Sequence, residues 1–251
     1  MAATVLTDCT IHADGFDFTG HSNSISLSAE VDDQDATTFG GNGWRQKASG
    51  LKECEAQADV FWQSDSTGSS DAVDEEMFTH LGHSGFPITI GPTRTEGDPV
   101  YLFKASSYSY ELLGDVGDLS TSTLEVAGSD TQGLIRGKWA KIKGNVTTTG
   151  ALGSPVNLGA GGAGKFLYAS FHVFSAGTTL SLKVQSDNTV SFTTPTDVTN
   201  ATIGPLTARG GRYGFVASTR IDATSITDNW FRFNVTAVTG TFSVAGAIAI
   251  Q

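Results

Sequence analysis

Ser24-Ile25-Ser26-Leu27-Ser28-Ala29-Glu30-Val31 alternates throughout, with Ile25, Leu27, Ala29 and Val31 on one side and three serines and Glu30 on the other. Glu53-Cys54-Glu55-Ala56-Gln57-Ala58-Asp59-Val60 repeats the pattern, with Cys54, Ala56, Ala58 and Val60 facing one way and acidic or amide side chains the other. Successive side chains of an extended chain point to opposite faces, so this period marks strands with one core face and one wet face. One-sided strands of this kind belong to antiparallel sheets. The polar interval between them, residues 32–52, is rich in Asp, Thr and Gly. It is far longer than the roughly 2–5 residues of an ordinary hairpin loop. It is expected to be a functional arm or a disordered insertion.

Outward from this pair, residues 87–90, 100–113 and 134–146 also read as extended. Residues 166–174, 179–184, 213–218, 230–235 and 241–250 follow as strands separated by Gly, Asn, Asp and Pro turns. Only residues 71–81 read as helix. Ser69, Ser70 and Asp71 supply cap residues, the first turn is acidic, His80 trails and Gly82 stops it, with Val73, Met77, Phe78 and Leu81 as the apolar stripe. Residues 150–164 read as a Gly-rich connector. The expected fold is all-β with one helix: a first β-sandwich or barrel domain over residues 1–140 and a second β-sandwich over residues 141–251.

Composition agrees. The 251 residues include 30 Gly and, together, 57 Ser and Thr, while charged residues make up only 16%. A coiled coil would need dense Glu, Lys, Leu and Ala, and 15 Phe, 5 Tyr and 4 Trp are enough to fill cores. No apolar run approaches the ~20 residues of a membrane helix, so no membrane partner is expected. The N-terminus lacks the basic start and apolar stretch of a signal peptide, and two cysteines are too few for a disulfide scaffold; synthesis in a reducing cytoplasm is expected. Charge is uneven. Residues 1–138 hold 22 Asp and Glu against 7 Lys and Arg, a balance of −15, and residues 139–251 hold 4 against 8, a balance of +4. The acidic half repels nucleic acid, and the basic half has no Lys/Arg cluster that would read a sequence.

Several motifs fall short of chemistry. Gly159 to Lys165 nearly spells a phosphate loop, but Phe166 stands where Ser or Thr is needed and a strand follows instead of a helix. Gly82-His83-Ser84-Gly85 lacks one residue of a nucleophile elbow and follows a helix. His80 and His83 are expected as two solvated histidines. Asp32, Asp33 and Asp35 could offer oxygens to calcium, yet the loop lacks the EF-hand glycine and glutamate. Asn145, Asn200 and Asn234 open Asn-x-Thr triplets that carry no meaning without secretion. No catalytic set has recognisable spacing, so neither enzyme activity nor a cofactor is expected.

Thr37-Thr38-Phe39-Gly40 and the return Gly50-Leu51-Lys52 into a strand ending at Phe61 and Trp62, followed by the single helix, resemble the major tail tube proteins of long-tailed bacteriophages. The resemblance covers roughly residues 20–140. Residues 166–174, with Val184-Gln185-Ser186-Asp187, resemble an extra β domain that some of these proteins carry. The family implies homohexameric rings stacked into a virion tail tube. Viral double-stranded DNA would pass through unbound, and the tape-measure and other tail proteins would be partners. It implies that Ser26, Ser28, Glu30, Glu53, Glu55, Gln57 and Asp59 face the lumen. It also implies an inter-ring arm carrying Asp32, Asp35, Phe39, Trp44, Arg45 and Lys47. The competing expectations are a capsid decoration protein, or a carbohydrate-binding sandwich using Trp230, Tyr213 and Tyr168.

Overall fold

The structure is a computed structural model that describes residues 7–40, 42–65, 72–115 and 117–251. The chain opens with β1 (Thr10–Ala13) and β2 (Phe16–Asp17), joined by Asp14 and Gly15, both at positive φ (40° and 80°). Two such residues make the turn whose twist matches its strands. A Cβ on Gly15 would stand 2.5 Å from the Val173 carbonyl oxygen, so only glycine allows this close approach. After a 3-10 turn (Phe18–Gly20) come the long strands β3 (Ser22–Asp35) and β4 (Lys47–Phe61). They pair antiparallel from Ser22↔Val60 to Asp35↔Lys47, with a register shift between Val31 and Asp33.

This corrects two expectations. Residues 32–35 and 47–52 are paired strand and not loop; the true connection is residues 36–46. Ala29 and Val31 are not core residues either. Both are exposed because the hairpin runs on beyond the sheet that covers its base.

The helix α1 spans Val73–His80. The expected cap residues 69–71 lie outside the described residues, and Ala72 at the N-terminus makes no side-chain capping bond. Gly82, at φ 77°, follows the helix in the left-handed conformation common past a helix end. Only Val73 and Met77 of the expected stripe are buried; Phe78 and Leu81 are exposed, and Glu76 is buried instead.

The remaining strands are β5 (Ser84–Gly91), β6 (Pro99–Leu113), β7 (Thr121–Gly128), β8 (Ile135–Val146), β9 (Gly150–Asn157), β10 (Phe166–Ser175), β11 (Thr179–Asp187), β12 (Thr196–Leu206), β13 (Gly210–Tyr213), β14 (Ile221–Asp222), β15 (Trp230–Thr239) and β16 (Phe242–Ile250). Strands β1, β2, β7, β9, β12 and β14 are additions to the sequence reading, and β13 ends where residues 213–218 were expected to begin a strand. The Gly-rich stretch is half strand. Its remainder is tied down by Gly161 N–H to the Ile226 carbonyl (2.9 Å) and Gly162 N–H to the Ala223 carbonyl (3.2 Å).

A 12-stranded network runs β13-β10-β16-β8-β6-β5-β1-β2, with β14 also on β10 and with β7, β4 and β3 continuing off β6; the second sheet is β12-β11-β15-β9. The fold is thus all-β with one helix. Strand β6 links the parts: its start pairs with β8, its middle with β5 and its end, from Ala105 to Leu113, with β7. One core lies among β1, β4, β5, β6, β7 and α1, around Val60, Met77, Ile88 and Phe103. A second fills the sandwich of the four-stranded sheet against β8, β10 and β16, around Phe171, Phe231 and Phe233. A third, around Trp139, Leu102 and Tyr168, joins residues from both halves of the chain. The expected boundary at 140 falls inside β8. Among the described residues no helix is long and apolar enough to cross a membrane.

Candidate functional site

The site is built on four strands in the order β3-β4-β7-β6, each antiparallel to the next. Cross-strand pairs set which side chains share a face. Ser26 lies opposite Gln57, Ser28 opposite Glu55 and Glu30 opposite Glu53. Gln57 continues to Glu125 and Ser109, and Asp59 to Thr123 and Glu111. Residues directly opposite in a sheet point the same way, so all of these lie on one face. The seven sequence-predicted face residues are therefore brought together, and none is buried. Ser24, Ser109, Glu111, Thr123 and Glu125 join them. The alternation Thr121, Thr123, Glu125 against Ser122, Leu124, Val126 carried the signal for β7.

The face holds Glu30, Glu53, Glu55, Asp59, Glu111 and Glu125 and no Lys or Arg. Asp59 accepts hydrogen bonds from Ser24 (2.6 Å) and Thr123 (3.3 Å), and Glu125 accepts one from Ser109 (2.8 Å). Glu55 has its pKa raised by a shared hydrogen bond with Glu53 and by the charges of Glu53, Glu125 and Glu30. The opposite face carries Cys54, Ala56, Ala58, Val60, Leu124 and Val126, all buried, with Val73 and Met77 of α1 packed on the same core.

Both lateral edges of this four-stranded unit are open. Among the described residues β3 pairs only with β4, and from Ser109 to Leu113 strand β6 pairs only with β7. The expected arm residues divide between strand and tip. Asp32 and Asp35 end β3, Lys47 begins β4, and Phe39, Trp44 and Arg45 lie between, with Phe39 and Trp44 exposed. Lys47 pairs with Asp33, and Asp35 accepts the Thr37 N–H (2.9 Å); the Thr37 side chain and this N–H hold its carboxyl below the ordinary range. Among the described residues no group of three or more His, Cys, Asp or Glu is placed to hold a metal.

The other motifs resolve locally. His80 is not a solvated histidine. Its Nε2 lies 2.8 Å from the Asp14 carboxylate and its Nδ1 2.9 Å from the Glu76 carbonyl, while Glu76 pairs with Arg209. Burial would lower the His80 pKa, but the Asp14 and Glu76 contacts raise it overall. His83 is exposed. Lys165 leads directly into β10, and Ser84 begins a strand, so neither a phosphate loop nor an elbow forms. Tyr168 and Tyr213 are buried and offer no face for a sugar to stack on, and Trp230 is half-buried.

No family model matches the sequence, and no curated protein matches it. Among solved structures, a chain from the virion of a native gene transfer agent particle is 15% identical with a TM-score of 0.38, over 53% of this chain and 98% of that one. A chain from the tail of an empty gene transfer agent particle, solved with C6 symmetry, is 16% identical with a TM-score of 0.40, over 53% and 97%. The SPP1 Dit protein, described as a hub of the adsorption apparatus in phages infecting Gram-positive hosts, is 16% identical with a TM-score of 0.33, over 96% and 99%. All three likenesses are distant.

Proposed function

We propose that this chain is a structural subunit of a phage-type tail whose copies join edge to edge into rings that stack into a tube. One observation carries the reading: a four-stranded antiparallel unit whose two edges are unpaired among the described residues, with one face packed on its own core and the other polar, with six carboxylates and no Lys or Arg. Open edges are binding surfaces for further strands. Strands β3 and β6 run in opposite directions, so the β3 of one copy can extend the β6 edge of the next and keep the sheet antiparallel. Such a head-to-tail contact repeats and closes into a ring when its rotation allows. The mass of the subunit lies behind the apolar face, so a ring of copies has room only with the polar face inward. Ser26, Ser28, Glu30, Glu53, Glu55, Gln57 and Asp59 would then line the lumen.

Glu30 opposite Glu53 weakens the subunit, because like charges directly across a sheet repel. A lumen that must not hold DNA supplies the reason. Its carboxylates repel phosphate and let the duplex slide. Asp32, Asp35, Phe39, Trp44, Arg45 and Lys47, projecting on the hairpin, would reach the next ring, and the second sandwich would stand outside. The tape-measure protein would be a lumen partner. Negative-stain microscopy of the purified chain tests the reading. Tubes or rings of constant diameter are expected, and discrete monomers at all concentrations would overturn it.

A further inference from the structure

We propose that α1 and the end of β6 form an apolar shelf that receives the apolar side of β3 from a second copy of this chain. The proposal rests on the edge-to-edge ring and adds the side chains that seal its seam. Phe78 is 65% exposed, Leu112 50% and Leu81 42%, although all three sit on or beside the apolar side of the sheet. Tyr110 lies opposite Leu124, a core residue, which fixes Tyr110 and Leu112 on that side. The Phe78 ring meets Tyr110 edge-on, with centroids 5.9 Å apart. The shelf is held in place from below, where Asp74 of α1 accepts hydrogen bonds from the Tyr110 hydroxyl and from the Trp62 indole N–H. Exposed apolar side chains gathered next to an unpaired strand edge mark an interaction surface.

The geometry selects the occupant. Whatever covers this shelf must bring a free strand edge to β6 and apolar side chains to the α1 side of the sheet together. A second copy carries both on β3. Among the described residues the edge of β3 is unpaired, its direction is the required one, and Ile25, Leu27, Ala29 and Val31 all point to the same side as Cys54, Ala56 and Ala58. Ile25 and Leu27 are half-buried and Val31 is 50% exposed, so that side of β3 is incompletely covered within one chain. Each copy thus has an incomplete apolar layer at each edge, and pairing two copies completes both. Phe78 would be the anchor, since a large aromatic ring at the centre of a contact dominates its strength.

The test measures the concentration at which the full chain assembles, by sedimentation and negative-stain microscopy, for the wild type, Phe78→Ser and Phe78→Leu. Phe78→Ser is expected to raise that concentration roughly tenfold, as loss of a buried aromatic side chain does. Phe78→Leu should recover most of the assembly. The thermal midpoint of the dissociated subunit should be the same in all three, because Phe78 is exposed in it. Val216→Ser, at an exposed apolar position on the second sandwich, should assemble like the wild type. Rings that form equally well in Phe78→Ser overturn the shelf and leave the ring reading standing. Wild-type protein that never assembles overturns both.

Discussion

His172 sits sealed between β10, β5 and the β1–β2 turn, and its neighbours dictate its state. The Gly15 N–H can only donate, so Nδ1 accepts (3.4 Å), and Nε2–H donates to the Thr89 hydroxyl (2.8 Å). Burial and the nearby His12 lower its pKa to about 3. The unfolded chain binds this proton near pH ~6.5, whereas the folded chain refuses it down to about pH 3. Stability from this group is therefore complete above that upper value and falls as pH drops between the two. We expect the thermal midpoint to decline over this window and the decline to be shallower in His172→Gln, which should cost about 1–2 kcal/mol at neutral pH for imperfect bonding. Parallel pH curves for the two proteins would assign the acid sensitivity elsewhere. His80 works in the other direction. Its raised pKa gives stability that is present at low pH and lost as pH rises through the folded value.

At the scale of elements, α1 separates what a helix needs for folding from what it offers outward. Met77→Ala should destabilise the subunit by roughly 2–5 kcal/mol, while Phe78→Ala should change it by no more than about 0.5 kcal/mol, read by denaturant unfolding. A large loss in Phe78→Ala would mean that its ring supports the subunit and not a partner. The sequence could not make this distinction. Val73, Met77, Phe78 and Leu81 all fit a helical stripe, and only the position of the strands around the first core decides which of them is buried. The β3–β4 hairpin poses the same problem. Its far end, residues 29–35 and 47–53, is paired but almost uncovered, so its amides should exchange fast in the free subunit and slowly after assembly. Equal exchange in both states would remove the arm from the assembly interface.

At the scale of the molecule, two consequences follow from how the sheets share strands. We propose that the separable first unit ends before β8, because every residue of the first core lies at or before Leu134. A fragment of residues 1–134 should then unfold cooperatively by circular dichroism. One of residues 1–146 should aggregate, since it keeps Trp139 and Ala140, both 0% exposed, while losing β16 that covers them. A cooperative 1–146 fragment would favour the boundary near 140 instead. The second consequence concerns charge. Glu30→Lys, Glu53→Lys and Glu55→Lys together shift each subunit by +6 and touch no core, so folding should persist. Asp59 is spared because Ser24 and Thr123 bond to it. Assembled tubes of this variant should retain duplex DNA at low salt and release it as salt rises. A variant that fails to fold would mean that the acidic face is an interface and not a wall.

Alternation alone determined that residues 24–31 and 53–60 are one-sided strands and which side is wet, because a period of two leaves an extended backbone no other way to keep apolar atoms together. It also put Ser26, Ser28 and Glu30 on the wet side of one strand and Glu53, Glu55, Gln57 and Asp59 on the wet side of the other, and the pairing of β3 with β4 makes these one face. Only the tertiary structure decided that β7 and β6 complete that face with Glu111 and Glu125, and that Ala29, Val31 and Phe78 have no core to enter. It alone made β8 common property of both halves. Local periodicity records which side of an element is apolar. What lies against that side comes from strands dozens of residues away, and on β3 and α1 part of the apolar surface stays exposed in the subunit.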